Sequence, residues 1–362
     1  MNFKDTIKNE LRTLVTLKPS GRKWQIPLIA ALSVGLPLLA GLYFDNLKLG
    51  LTACLGGMVI LYLPESGSFT NRILTLLVSS FGFMVSFAFG LLLSFNPYVS
   101  TIAFGLFSMV LHWIILYYKT SPPRSFFFIM IAAMAICQPF VPEAIPEKIG
   151  LLGLSTMFTC SLALIYLFSL SSKEKGQKRA PIIPVFEKNS YADFWEALIM
   201  GGFMFLSLAV GHWLQYDNPY WIPISCAAVM QGASLYHIRQ RTFHRILGTL
   251  LGLGFSWIIV NQIQSPLSIC LAIIVLQFII EVLVVRQYAL AVIFITPLTI
   301  LLAEAADPIF STPNTLMALR FWEIVIGSLI GAIGGWLLHK EKIRYATIGE
   351  LKKIGAGLKN RL

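Results

Sequence analysis

The 362-residue chain is 56% hydrophobic and 12% charged, with a formal net charge of +11. A soluble domain carries about 25% charged residues, so water is excluded as the solvent for most of this surface. The positive charge does not mark a nucleic-acid binder, because the basic residues cluster between apolar runs of membrane-spanning length, as the positive-inside pattern requires.

Residues 1–24 are read as a cytoplasmic amphipathic segment rather than a cleavable signal. Phe3, Ile7, Leu11 and Leu14 recur at helical spacing among Lys4, Lys8, Arg12, Lys18, Arg22 and Lys23, which suits a helix lying on a membrane surface. A bilayer core about 30 Å thick needs about 20 helical residues. On that measure the chain is an all-α polytopic membrane protein with about twelve transmembrane helices. Six fall at about 25–44, 47–64, 73–95, 98–118, 125–142 and 149–171. Six more fall at about 194–214, 219–236, 246–262, 266–285, 288–305 and 319–339. The second, fifth, eighth and eleventh are short or interrupted by Pro, Gly and Gln. They need protein neighbours more than lipid and are the better candidates to line a cavity. A basic, proline-punctuated linker covers 172–193, and the basic tail 340–362 repeats the surface-helix pattern, with Thr347, Leu351, Ile354, Leu358 and Leu362 on one face.

With the N-terminus placed in the cytoplasm, all of the 28 Lys and Arg except Lys48, Lys148 and Arg320 fall on the cytoplasmic side. That asymmetry predicts cytoplasmic N- and C-termini. The chain also repeats itself. FDN at 44–46 returns as YDN at 216–218, Cys54 as Cys226, and NRIL at 71–74 as HRIL at 244–247. Pro97 and His112 then correspond to Pro266 and Glu281. The expectation is two parallel six-helix repeats, 25–171 and 194–339.

The most conspicuous stretch is PYWIPISCAAVMQGASLYHIRQRTFHRILGTLLGL, residues 219–253. It is read as two membrane helices joined by a basic elbow that holds His237, Arg239, Arg241, His244 and Arg245. Arg241 and Arg245 lie four apart, on one face if the helix begins there. A helix N-terminus would add bare N–H groups and a positive dipole end for a carboxylate. Arg72 holds the matching place in the first half. Each arginine also suits a simple membrane-end anchor.

Glu281, inside the tenth span, must face the bundle, find a partner or carry a proton. The sequence offers Arg245 or Arg286 as the partner of a structural ion pair. It equally offers Glu281 as a proton-coupling carboxylate, and His112 as a second titratable group within the membrane or a hydrogen-bonded core residue. Trp221, Gln231, Tyr288 and Thr296 are polar or aromatic residues on the short helices, readable as helix contacts or ligand contacts. Gly248 with Gly252, and Gly327 with Gly331 and Gly335, make GxxxG patterns for close helix packing.

Signals for chemistry are few. The cysteines Cys54, Cys137, Cys160, Cys226 and Cys270 sit in apolar runs without CxxC spacing, which argues against a disulfide framework or metal site. His212 and Asp217 form H-x4-D, a spacing that arises by chance here. No P-loop, HExxH or GxSxG is present, so neither an enzyme nor a cofactor is expected.

The short Trp/Pro helix at Trp221, the run Arg245 to Gly252, Glu281, Arg286 to Ala289 and the Thr296-Pro297 pair together resemble the fusaric acid resistance and aromatic acid exporter family. The resemblance is best over about 195–305, with a weaker copy over about 25–140. It implies six-span units that export aromatic or other small organic anions across a bacterial inner membrane, driven by a proton gradient or the membrane potential. The implied partners are the lipid bilayer and the anion, with a homo-oligomer open. The large soluble cytoplasmic domains common in such exporters have no room in the linker and tail. A passive anion channel, a different twelve-span transporter and a non-transporting scaffold are the alternatives. The loop PESGSFTNR lacks the signature that major facilitators show after their second span.

Overall fold

The computed structural model describes residues 19, 22–118, 120, 122–171, 190–232, 234–263, 265–306 and 313–340. The surface helices expected before residue 19 and after residue 340, and most of the linker, lie outside the described residues. Among the described residues twelve α-helices follow one another: α1 (Gln25–Tyr43), α2 (Leu47–Cys54, continued as a 3-10 helix over Leu55–Tyr62), α3 (Phe69–Leu92), α4 (Pro97–Tyr117), α5 (Phe126–Ile136), α6 (Ile145–Ser171), α7 (Ser190–Trp213), α8 (Trp221–Met230), α9 (Leu235–Gln262), α10 (Pro266–Leu283), α11 (Tyr288–Ala306) and α12 (Pro313–His339).

Eight of them contain a stretch long and apolar enough to cross a membrane. The shorter apolar helices, at Leu47–Tyr62, Phe126–Ile136, Trp221–Met230 and Tyr288–Leu302, are the four that their sequences single out. Ten residues of α8 rise only about 15 Å, half of a bilayer core, so protein must surround them. Every α8 residue from Ile222 to Met230 is buried, and in α5 all but Phe126, Phe127 and Met134 are. The chain is thus a multi-pass helical membrane protein.

Local chemistry sets the helix ends. Asn96 accepts from the backbone N–H groups of Tyr98 and Val99, with Pro97 in the first turn. Ser265 forms a reciprocal cap with Ser268 ahead of α10, with Pro266 in the first turn; a proline there gives up an N–H that would be orphaned anyway. α1 and α7 end alike. Asp45 and Gln215 take φ of 52° and 55°, and the next two N–H groups fold back: Asp45 to Leu42 and Asn46 to Gly41, Gln215 to His212 and Tyr216 to Gly211. This double return satisfies the last carbonyls of each helix.

Two compact units result. The described parts of 1–88, 141–182 and 243–322 form the first, and those of 89–140, 183–242 and 323–362 the second. In the first unit, α1 packs most extensively on α10 and α2, and α10 also on α11. Its core joins Val34, Leu38 and Cys54 to Ile269, Ile273, Leu276, Ile280 and Leu298. In the second unit, α4 lies along α7, and α8 touches α7 and α5. Both units therefore draw on both halves of the sequence.

Candidate functional site

α1 and α10 run in opposite directions, because Gly35 meets Ile274 while Arg22, just before α1, meets Glu281 near the end of α10. Arg22 Nη1 donates to Glu281 Oε2 at 3.0 Å, with the two side chains 12% and 5% exposed. Gln277, one turn earlier, donates from Nε2 to the other carboxylate oxygen at 3.2 Å. Glu281 stands two residues from the end of α10, not at its centre. A carboxylate there opposes the negative end of the helix dipole, and the guanidinium offsets both that and the desolvation. The partner the sequence offered is corrected. Arg286 is exposed in the turn after α10, and Arg245 donates from Nη1 to the Tyr288 hydroxyl at 3.2 Å. In the sequence Arg22 is one of six basic residues in the N-terminal segment, with nothing in its neighbours to single it out.

The basic elbow is also corrected. α9 begins at Leu235, only five residues after α8 ends at Met230, and Ser234 Oγ accepts from the His237 N–H. The chain holds no helix breaker between Leu235 and Leu247, so the helix runs straight through the basic residues. Arg241 and Arg245 stand six and ten positions beyond its first residue, past the bare N–H groups. Arg241 donates to the Ala228 carbonyl at 3.0 Å, which ties α9 back to α8.

The remaining candidates take simpler places. Arg72 Nη2 donates to the Glu65 carbonyl at 2.7 Å. Thr296 is buried and donates to Val292 at 3.0 Å. Gly248 and Gly252 let α9 approach the Ala289 and Ile293 carbonyls of α11. In the second unit Gly327 and Gly331 abut the Ile222 and Cys226 carbonyls of α8, and Gly335 faces the Ile238 side chain. Gln231 donates to the Pro123 carbonyl at 3.2 Å, and Trp221, half-buried, leans against Tyr220. His112 is buried there too, with Nδ1 2.6 Å from Ser125 Oγ and Nε2 3.6 Å from Glu196 Oε1. His212 shares a hydrogen bond with Thr101, while Asp217 is exposed.

A cavity of about 320 Å³ opens in the first unit, lined by Arg22, Lys23, Ile26, Leu63, Pro64, Glu65, Ser66, Arg72 and Tyr166. Three cations meet one exposed carboxylate there, beside an apolar wall. A larger cavity of about 670 Å³, between α1, α2 and α6, has no charged side chain in its lining and offers an anion no hold. The ion pair and the three-cation cavity therefore make the first unit the candidate anion site.

Residues 206–334 match the family described as fusaric acid resistance protein-like. This fusaric acid resistance-like region holds Arg241, Arg245, Glu281 and Tyr288, whereas Arg22, Arg72 and His112 precede it. The chain is also similar to YvaC, an uncharacterized membrane protein of Bacillus subtilis, with 34% identity over 132 residues. That similarity covers 36% of this chain and 20% of YvaC, so the chain spans about a fifth of the curated relative it matches. No solved structure matches the chain significantly.

Proposed function

We propose that the protein transports small organic anions, aromatic carboxylates foremost, out across a bacterial inner membrane. Both termini lie in the cytoplasm on this reading, and a proton gradient or the membrane potential supplies the energy. The observation that carries it is the buried set Glu281, Arg22 and Gln277 at the end of an apolar helix pair. Charges in such a place are retained for function more often than for stability, because a well-packed apolar pair would serve stability as well. The similarity to fusaric acid resistance-like proteins supports an organic acid as cargo. In the first unit Arg245 is the proposed attractor of the anion, with Arg72, Arg286, Tyr288 and Thr296 as further contacts and Glu281 as the proposed site of protonation; Arg241, Trp221, Gln231 and His112 belong to the second unit.

The test is flux of radiolabelled benzoate in proteoliposomes under imposed pH and potential gradients. Wild-type protein moves benzoate faster than empty liposomes, and Arg245→Ala reduces the rate about tenfold or more, the loss expected for one charge-assisted contact. Flux that answers only to the benzoate gradient indicates a passive channel. No flux from folded protein ends the transport reading.

A further inference from the structure

Arg22 belongs to two structures at once. Its guanidinium holds Glu281, and its side chain lines the three-cation cavity. We propose that the cavity binds a monovalent aromatic carboxylate which takes Arg22 from Glu281, so that one proton enters Glu281 for each anion bound. This rests on the anion-transport reading above and departs from it in one respect: the proton travels with the anion, so accumulated acid drives export in place of the proton gradient or the membrane potential.

The cavity fits that class of ligand by size and lining. Its volume of about 320 Å³ lies within the range of about 300–1,000 Å³ usual for small-molecule sites. Arg22, Lys23 and Arg72 supply the charge, and Ile26, Leu63, Pro64 and Tyr166 supply a wall for an apolar ring. Arg72 is anchored by one Nη to Glu65, while its buried Nε has no hydrogen-bond partner among the described residues. A carboxylate can take that N–H. Glu65 and Ser66 are exposed and give the cavity its route to water.

Charge conservation supplies the coupling. An arriving anion that draws the guanidinium away leaves Glu281 with only Gln277 among the described residues. α1, packed against α10, contains no charged residue; α11, also packed on it, carries Tyr288 at its start, whose hydroxyl accepts from Arg245, and Glu304 near its far end; and in the turn after α10 Arg286 is exposed to solvent. A bare carboxylate in that setting is costly. A proton from water at the cavity mouth neutralises it and forms the O–H of a carboxylic acid, while Arg22 exchanges one carboxylate for another. The buried charge is unchanged, because one negative anion and one proton enter together. The loaded step is electroneutral, so the proton gradient bears on transport and the membrane potential does not. Because the proton leaves with the anion, an inward-directed proton gradient opposes export, and net outward flow requires the acid to accumulate on the cytoplasmic side beyond that gradient.

The experiment titrates sodium benzoate into the full-length protein, in weakly buffered uncharged detergent with a pH indicator, alongside calorimetry of binding. Wild-type protein takes up about one proton per benzoate bound. Glu281→Gln binds benzoate at least as tightly with no proton uptake, and Arg72→Ala binds about tenfold or more weakly with the proton count unchanged. Monodisperse elution of each variant secures the comparison. Benzoate binding and flux without proton uptake overturn this inference and leave the transport reading standing, whereas absence of flux removes both. The same titration in nanodiscs, with and without phosphatidylglycerol, separates cargo from lipid. Suppression of benzoate binding by phosphatidylglycerol assigns the cavity to a lipid headgroup and overturns the proposal.

Discussion

Gly252 and Gly254 lie two residues apart on α9 and meet opposite surroundings. A Cβ at Gly252 would stand 2.7 Å from Thr296 Cβ and 2.8 Å from the Ile293 carbonyl, while one at Gly254 would meet nothing within 4 Å. Backbone cannot move aside as a side-chain tip can, so Gly252→Ala must push α9 and α11 apart, at about 1–3 kcal/mol. Gly254→Ala should be neutral or stabilise by up to about 1 kcal/mol through helix propensity. Thermal unfolding of the two variants in the same detergent checks the contrast, and equal midpoints would refute it. A GxxxG spacing is visible in the sequence, but which glycine of a run touches another backbone is not. That depends on the face a neighbouring helix happens to cover.

Two antiparallel helix pairs share a design. α1 and α10 meet at Gly35 and close with Arg22 and Glu281. α4 and α7 meet at Gly105 and Gly201 and close with His112 and Glu196. The acid lies in the later half of the sequence both times, but the tenth helix carries it in one pair and the entry of the seventh in the other. The sequence match of His112 with Glu281 therefore brings together residues of opposite polarity in equivalent roles. Their energies should differ. Arg22 and Glu281 are almost fully buried at 3.0 Å, and removing one partner of such a pair costs about 3–5 kcal/mol. His112 and Glu196 are 3.6 Å apart with Glu196 33% exposed, in the range of about 0.2–1 kcal/mol. Double-mutant cycles on unfolding, with alanine at each position, should give clear coupling for the first pair and little for the second. Equal couplings would show that burial does not rank them.

For the molecule as a whole, the compact units do not follow the halves of the sequence. α1 needs α10, and α4 needs α7, to bury their inner faces. A chain divided within the linker 172–189 should consequently yield neither half in folded form when each is expressed alone. Co-expression of the two halves should restore a stable complex that co-purifies through a tag on one of them. Stable, monodisperse 1–180 by itself would contradict this dependence.

The sequence by itself determined that the chain is a helical membrane protein, where twelve helices lie and which four are too short to stand in lipid. Hydropathy, helix length and caps such as Asn96-Pro97 and Ser265-Pro266 act within a few residues, so they can be read locally. It also held a signal for the true start of α9, Ser234 three residues before His237, but the density of positive charge there reads as a loop. Arg22 as the partner of Glu281 had no such signal. The two are 259 positions apart, and nothing in a charged N-terminal run says which buried acid it will meet. Only the antiparallel packing of α1 on α10 brings them to one end of one helix pair, because an unpaired carboxylate buried there would cost more than ordering the arginine to cover it.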